Sequence, residues 1–117
     1  MEDELTVKEL QRTAWKIAED KGFHIGRVSA RTDTLLRLCL VHTEVSEAAQ
    51  EVKKYWTEPP TNMQIKDFML ELADVMIRVG DLAECVGGDL EESIRIKLAH
   101  NRLRPKQYGT PGEHSGI

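Results

Sequence analysis

Two pairs of carboxylates carry the chemistry in this sequence: Glu44 with Glu47 in "TEVSEAA", and Glu71 with Asp74 in "LELADVM". A three-residue spacing sets both members of a pair on one side of a helix. Two such pairs on facing helices would bring four carboxylates together, an all-oxygen donor set that favours a hard divalent cation, Mg²⁺ or Mn²⁺. Spacing alone does not make the case. With 20 acids among 117 residues, chance placement gives roughly three acid-x-x-acid pairs, and the chain has four, the others being Asp81/Glu84 and Asp89/Glu92. Asp89/Glu92 reads as a helix cap and Asp81/Glu84 as a solvated helix end.

Context separates the first two pairs. Asp67, Glu71, Asp74, Arg78 and Asp81 recur at a four-three rhythm and share one narrow stripe of a helix. Phe68, Met69, Leu70, Leu72, Val75, Met76, Ile77 and Val79 cover the rest of it. A thin polar seam on an otherwise apolar helix implies enclosure. In "LLRLCLVHTEVSEAAQEV", Leu38, Val41, Val45, Ala48, Ala49 and Val52 form a core side, while Glu44, Glu47 and Glu51 take another sector. Carboxylates beside leucines need a cation or hydrogen bonds. That compensation is either a bound metal or interhelix pairing with Arg78 and lysines, and the residues alone leave both readings open. Arg78 and Asp81 read as supporting or interhelix pairs, Trp15 and Trp56 as packing, and His42 as structural. A di-iron site needs Glu-x-x-His, and none of the four histidines has a Glu three positions before it. An EF-hand needs a loop of alternating acids around a glycine, and no stretch has that form.

The elements that would position these groups are helices. Aromatics make up 5% of the chain, and no alternating run is flanked by hairpin turns. A first helix is expected from about Thr6 to Asp20, with Leu10, Ala14, Ile17 and Ala18 on one side. Gly22 and Gly26 mark a loop. Thr32 or Asp33 would cap a long second helix ending near Trp56, and Pro59-Pro60 break it. Thr61 with Gln64 forms a capping box for a third helix, which Gly87-Gly88 stop near Cys85. Asp89 opens the fourth, "DLEESIRIKLAHNRLR", closed by Pro105. The expected fold is all-α, a four-helix bundle over residues 1–104 with a flexible C-terminal tail over 105–117.

Composition narrows the function classes. A net charge of -4 gives no basic footprint for nucleic acid, and an anionic substrate would need a cation or a local basic cluster. No apolar stretch reaches the ~18 residues of a membrane span, and "MEDE" begins no signal peptide, so the expected compartment is the cytoplasm. Cys39 and Cys85 sit in apolar helical runs without a C-x-x-C partner or a nearby His set. They read as buried free thiols rather than a disulfide or zinc site.

The acid pairs also fit a wider pattern. Glu44-Val45-Ser46-Glu47 and, 23 residues on, Glu71-Leu72-Ala73-Asp74 resemble the E-x-x-E…E-x-x-D signature of MazG-like nucleotide pyrophosphohydrolases, the all-α NTP pyrophosphatase superfamily. The resemblance runs from about residue 8 to 105. It takes in "AWKIAEDKGF" and a last-helix K-x-x-x-N-x-x-R, here Lys97, Asn101 and Arg104. It implies a MazG-like bundle completed by dimerisation, as a homodimer or homotetramer, and Mg²⁺-dependent cleavage of a (d)NTP to the monophosphate and pyrophosphate. Mn²⁺ is the alternative ion. Glu44, Glu47, Glu71 and Asp74 would be the catalytic metal ligands, and Lys97, Asn101 and Arg104 the substrate contacts. Many small relatives carry a basic H-G-K-type tail where this chain has "QYGTPGEHSGI". That departure motivates an alternative, a non-catalytic metal- and nucleotide-binding or dimerisation module.

Overall fold

The computed structural model describes residues 4–24 and 29–105, and these form four helices with no strand among them. Helix α1 spans Val7–Asp20, α2 Ala30–Tyr55, α3 Asn62–Val86 and α4 Leu90–Leu103. Each start is set by a short polar side chain that accepts from an otherwise unpaired backbone N–H: Thr6 from Glu9, Ser29 from Thr32, Thr61 from Gln64, Asp89 from Glu92. The second helix therefore begins earlier than its expected caps, Thr32 or Asp33. Its extra turn places Asp33 inside the helix, 3.0 Å from Arg37 Nε one turn later.

The expected capping box at Thr61 is present, and Gln64 does more than close it. Its Oε1 accepts from the backbone N–H of Thr61 and Thr57, and its Nε2 donates to the Tyr55 carbonyl at 2.6 Å. One glutamine thus joins the end of α2 to the start of α3. Gly87 ends α3 with a φ of 78°, a left-handed conformation that a side chain would strain.

Helix α3 is central. It packs against α2 on one side and α1 on another, while α4 lies along α1. Gly80 permits the α1–α3 approach, because a Cβ there would sit 3.3 Å from Gln11 Cα and 3.5 Å from Leu10 Cγ. Across this crossing, buried Gln11 donates from Nε2 to Glu84 Oε1 at 2.6 Å and to the Gly88 carbonyl at 2.8 Å. Its Oε1 accepts from Leu90 N–H at 3.1 Å. A single side chain therefore holds the end of α3 and the start of α4 against α1.

The apolar core of the single chain is small. Its buried apolar residues among those described are Ala14, Ala18 and Ala48. The expected core side of α2 is largely open instead, since Leu38, Val45 and Val52 are all exposed. Leu36 is 57% exposed and Leu70 61%, with Leu35, Leu40, Met69, Leu72 and Met76 also exposed. Met69, Leu70, Leu72 and Met76 belong to the apolar surface that phasing assigned to α3, yet the neighbouring helices cover only part of each. Cys39, expected to be buried, is exposed for the same reason. Among the described residues, no helix is long and apolar enough to cross a membrane. Of the expected tail over 105–117, residues 106–117 lie outside the described residues.

Candidate active site

The two acid pairs meet between α2 and α3. Glu44, Glu71 and Asp74 each place a carboxylate oxygen within 4.8 Å of the others. Glu47, one turn after Glu44, lies outside that three-residue set but feels its charge. Its carboxyl is pushed above the ordinary value of 4.5, chiefly by the charge of Glu44 and a hydrogen bond with it, then slight burial, then Glu71 and Asp74. Four like charges converge although Glu47 itself is open to water. Such convergence costs free energy unless a cation offsets it.

Among the described residues, Arg78 brings a cation to the cluster. Arg78 Nε lies 3.3 Å from Glu44 Oε1, joining α3 to α2. The interhelix pairing open from the sequence is thus present at Glu44, and among the described residues the Arg78 ion pair involves that acid of the four. The donor set fits a hard divalent ion because it is carboxylate throughout and partly solvated. In each half, the three-residue spacing turns both acids toward the facing helix.

Beside the carboxylates lies a cleft of about 330 Å³, within the range of small-molecule sites. Glu44, Asp74 and Asp81 give it acidic lining, Lys21 and Arg78 basic lining, and Ala14, Ile17, Ala18, Phe23 and Ile77 apolar walls. The Arg78 guanidinium lies 5.8 Å from the centre of the Phe23 ring, a cation–π distance that fixes both at the rim. Lys21 and Phe23 end the stretch "AWKIAEDKGF", but neither was given a role from the sequence. They follow α1 in the loop marked by Gly22, and no periodicity extends to them.

The other sequence-derived groups sort as follows. Lys97, Asn101 and Arg104 are exposed on α4 or at its end, and none lines the cleft. Asp81 is buried and bridges elements, with Oδ1 2.8 Å from His24 Nε2 and Oδ2 3.4 Å from Arg37 Nη1. Burial works against the charge on Arg37, but the hydrogen bond to Asp33 and its position beside Cys85, Asp33 and Asp81 outweigh it and raise its pKa. Both tryptophans pack, Trp15 against His24 at 5.1 Å and Trp56 edge-on to Phe68 at 5.3 Å. His24 and Cys85 come within 3.5 Å, although they are far apart in sequence and looked unrelated there.

No protein-family model, no curated protein and no solved structure matches the chain.

Proposed function

We propose that this chain is a Mg²⁺-dependent nucleoside triphosphate pyrophosphohydrolase, converting a (d)NTP and water to the (d)NMP and pyrophosphate. The observation that supports this reading is the carboxylate set of Glu44, Glu71 and Asp74, with Glu47 under its charge, beside a cleft that Glu44 and Asp74 line together with Lys21, Arg78 and Phe23. Mg²⁺, or Mn²⁺ in its place, would be held by the four carboxylates, and when bound it supplies charge neutralisation at the phosphates and a more acidic water. The chain's own groups do the rest. Arg78 holds Glu44 in place through its 3.3 Å contact. Lys21 adds a positive charge at the cleft lining, where it stabilises charge building on the phosphoryl oxygens. One of the four carboxylates accepts the proton of the attacking water. The Phe23 face offers an apolar surface to the base.

The same reading includes a homodimer or homotetramer. Its support is the set of exposed leucines and methionines on α2 and α3, since contiguous exposed apolar surface marks interaction sites. Lys97, Asn101 and Arg104, solvent-facing around the end of α4, would meet the substrate across that assembly. A second reading, a module that binds metal and nucleotide without turnover, is favoured by one observation: none of these three residues lines the cleft.

The test is release of monophosphate and pyrophosphate from a panel of NTPs and dNTPs with Mg²⁺ or Mn²⁺. Hydrolase activity requires turnover on at least one nucleotide and its loss in Glu47→Gln and Asp74→Asn. Metal-dependent nucleotide binding without product would select the second reading.

A further inference from the structure

A second potential ligand set lies behind the cleft, built from other chemistry. His24, from the turn after α1, faces Asp81 and Cys85, which are one turn apart on α3. Its Nε2 is 2.8 Å from Asp81 Oδ1 and 3.5 Å from Cys85 Sγ, and that sulfur is 3.7 Å from the same oxygen. His24 and Asp81 are both buried. We infer that His24 Nε2, Asp81 Oδ1 and Cys85 Sγ form a binding site for one zinc-class transition-metal ion, separate from the carboxylate cage.

Three observations carry this assignment. The first is ligand geometry. Zinc bonds of about 2.0–2.3 Å to N, O and S in a tetrahedral arrangement require ligand–ligand edges of roughly 3.4–3.6 Å. Two of the three observed edges, 3.5 and 3.7 Å, already match. The third, 2.8 Å, must open by about 0.6 Å to reach that range, which a small side-chain rotation provides. The second is the surrounding shell. His24 Nδ1 lies 2.6 Å from Glu19 Oε1 and Nε2 lies 2.8 Å from Asp81 Oδ1. An ionised carboxylate only accepts, so both contacts call for an N–H, and an ion at Nε2 takes the place of that proton while Nδ1 keeps its own toward Glu19. That is the carboxylate–histidine arrangement that turns the other nitrogen toward a metal. On the opposite side Arg37 approaches Asp81 Oδ2 at 3.4 Å, anchoring the oxygen that faces away from the sulfur.

The third is the charge and softness of the set. The ligand set itself supplies one thiolate and one carboxylate against a dication, with the Glu19 carboxylate 2.6 Å from His24 Nδ1 and Arg37 lying between Asp81 and Asp33. Thiolate and imidazole select zinc-class ions over Mg²⁺, whereas the all-carboxylate cluster selects the reverse. The two sites therefore discriminate by ligand type. On binding, the Cys85 thiol proton and any proton on His24 Nε2 leave to solvent, so affinity rises with pH. The fourth position falls to water, and the ion would tie α1's end to α3 directly behind Asp81, which also lines the cleft.

The test uses the full-length protein stripped with chelator and reloaded with one equivalent of Zn²⁺ or Co²⁺. Expected are a thiolate-to-cobalt absorption and one tightly held zinc per chain. Both are retained in a Glu47→Gln/Asp74→Asn variant and lost in Cys85→Ser and His24→Gln. A second measurement avoids variants that fail to fold: in wild type, Zn²⁺ slows alkylation of Cys85 at least tenfold and leaves exposed Cys39 unchanged. Absence of the thiolate band, or equal alkylation of Cys85 with and without Zn²⁺, would overturn the assignment. So would zinc that is lost only in the carboxylate variant.

Discussion

Replacing Gln11 with alanine should loosen the α1–α3–α4 junction by an amount that can be worked out from its contacts. Its amide donates to Glu84 at 2.6 Å and to the Gly88 carbonyl at 2.8 Å, and accepts from Leu90 N–H at 3.1 Å. Net hydrogen bonds contribute about 1 kcal/mol each, and one to a charged partner about 1.5–3 kcal/mol. The three together reach about 4 kcal/mol before the freed groups regain water. Glu84, Gly88 and Leu90 lie near the surface and are partly resolvated, so the expected loss is about 2–3 kcal/mol. For a domain of this size each kcal/mol shifts Tm by about 4 °C, giving a fall of about 8–12 °C. Urea unfolding followed by circular dichroism measures the free energy, and hydrogen exchange locates it. The largest gain in exchange is expected at the start of α4. A loss below about 0.5 kcal/mol, or exchange unchanged in α4, would refute the claim that Gln11 holds this junction.

Further predictions concern the cleft, the helix crossing and the open faces. Without metal, Glu47→Gln should raise Tm at neutral pH by removing a charge that Glu44, Glu71 and Asp74 oppose. With Mg²⁺ the same variant should be stabilised less than wild type, so calorimetry at both conditions shows a reversal of sign. Glu47 in the folded chain binds its proton more tightly than at the ordinary value of 4.5. Metal-free stability should therefore fall as pH rises through 4.5 to the raised value, then level, and Glu47→Gln should flatten that slope in a pH series of melts. Gly80→Val, whose added atoms meet the Gln11 backbone within 3.3 Å of the Cβ position, should cost about 1–3 kcal/mol or more in urea titrations. Leu36→Glu with Leu70→Glu, both at exposed apolar positions, should shift light-scattering mass toward the monomer while leaving helicity intact.

How much of this was legible in the sequence follows from the range of the interactions involved. Helix limits set by local bonds were readable: Thr61 with Gln64, Gly87 and Asp89 all act within four residues. The start of α2 was not, because Ser29, Thr32 and Asp33 can all cap a helix. The choice depends on Asp33 reaching Arg37 and on Arg37 reaching Asp81 on another helix. Glu44, Glu71 and Asp74 could be found because each pair obeys a helical period and the two periods face each other. Lys21, Phe23 and the His24–Asp81–Cys85 group obey none, since the turn after α1 is brought to α3 by tertiary packing alone. The apolar stripes could be read from periodicity, but the side of α2 expected to be core is largely exposed at Leu38, Val45 and Val52. How much of each stripe the single chain covers depends on helix count and crossing, which periodicity does not encode.

The central claim is that the carboxylate cleft hydrolyses a nucleoside triphosphate between its α and β phosphates. Phosphorus NMR of a dNTP mixture with Mg²⁺ and the full-length chain tests it most directly. The account predicts monophosphate and pyrophosphate appearing in equal amounts, with neither formed by Asp74→Asn. Diphosphate with orthophosphate, or an unchanged spectrum for every nucleotide, would contradict it.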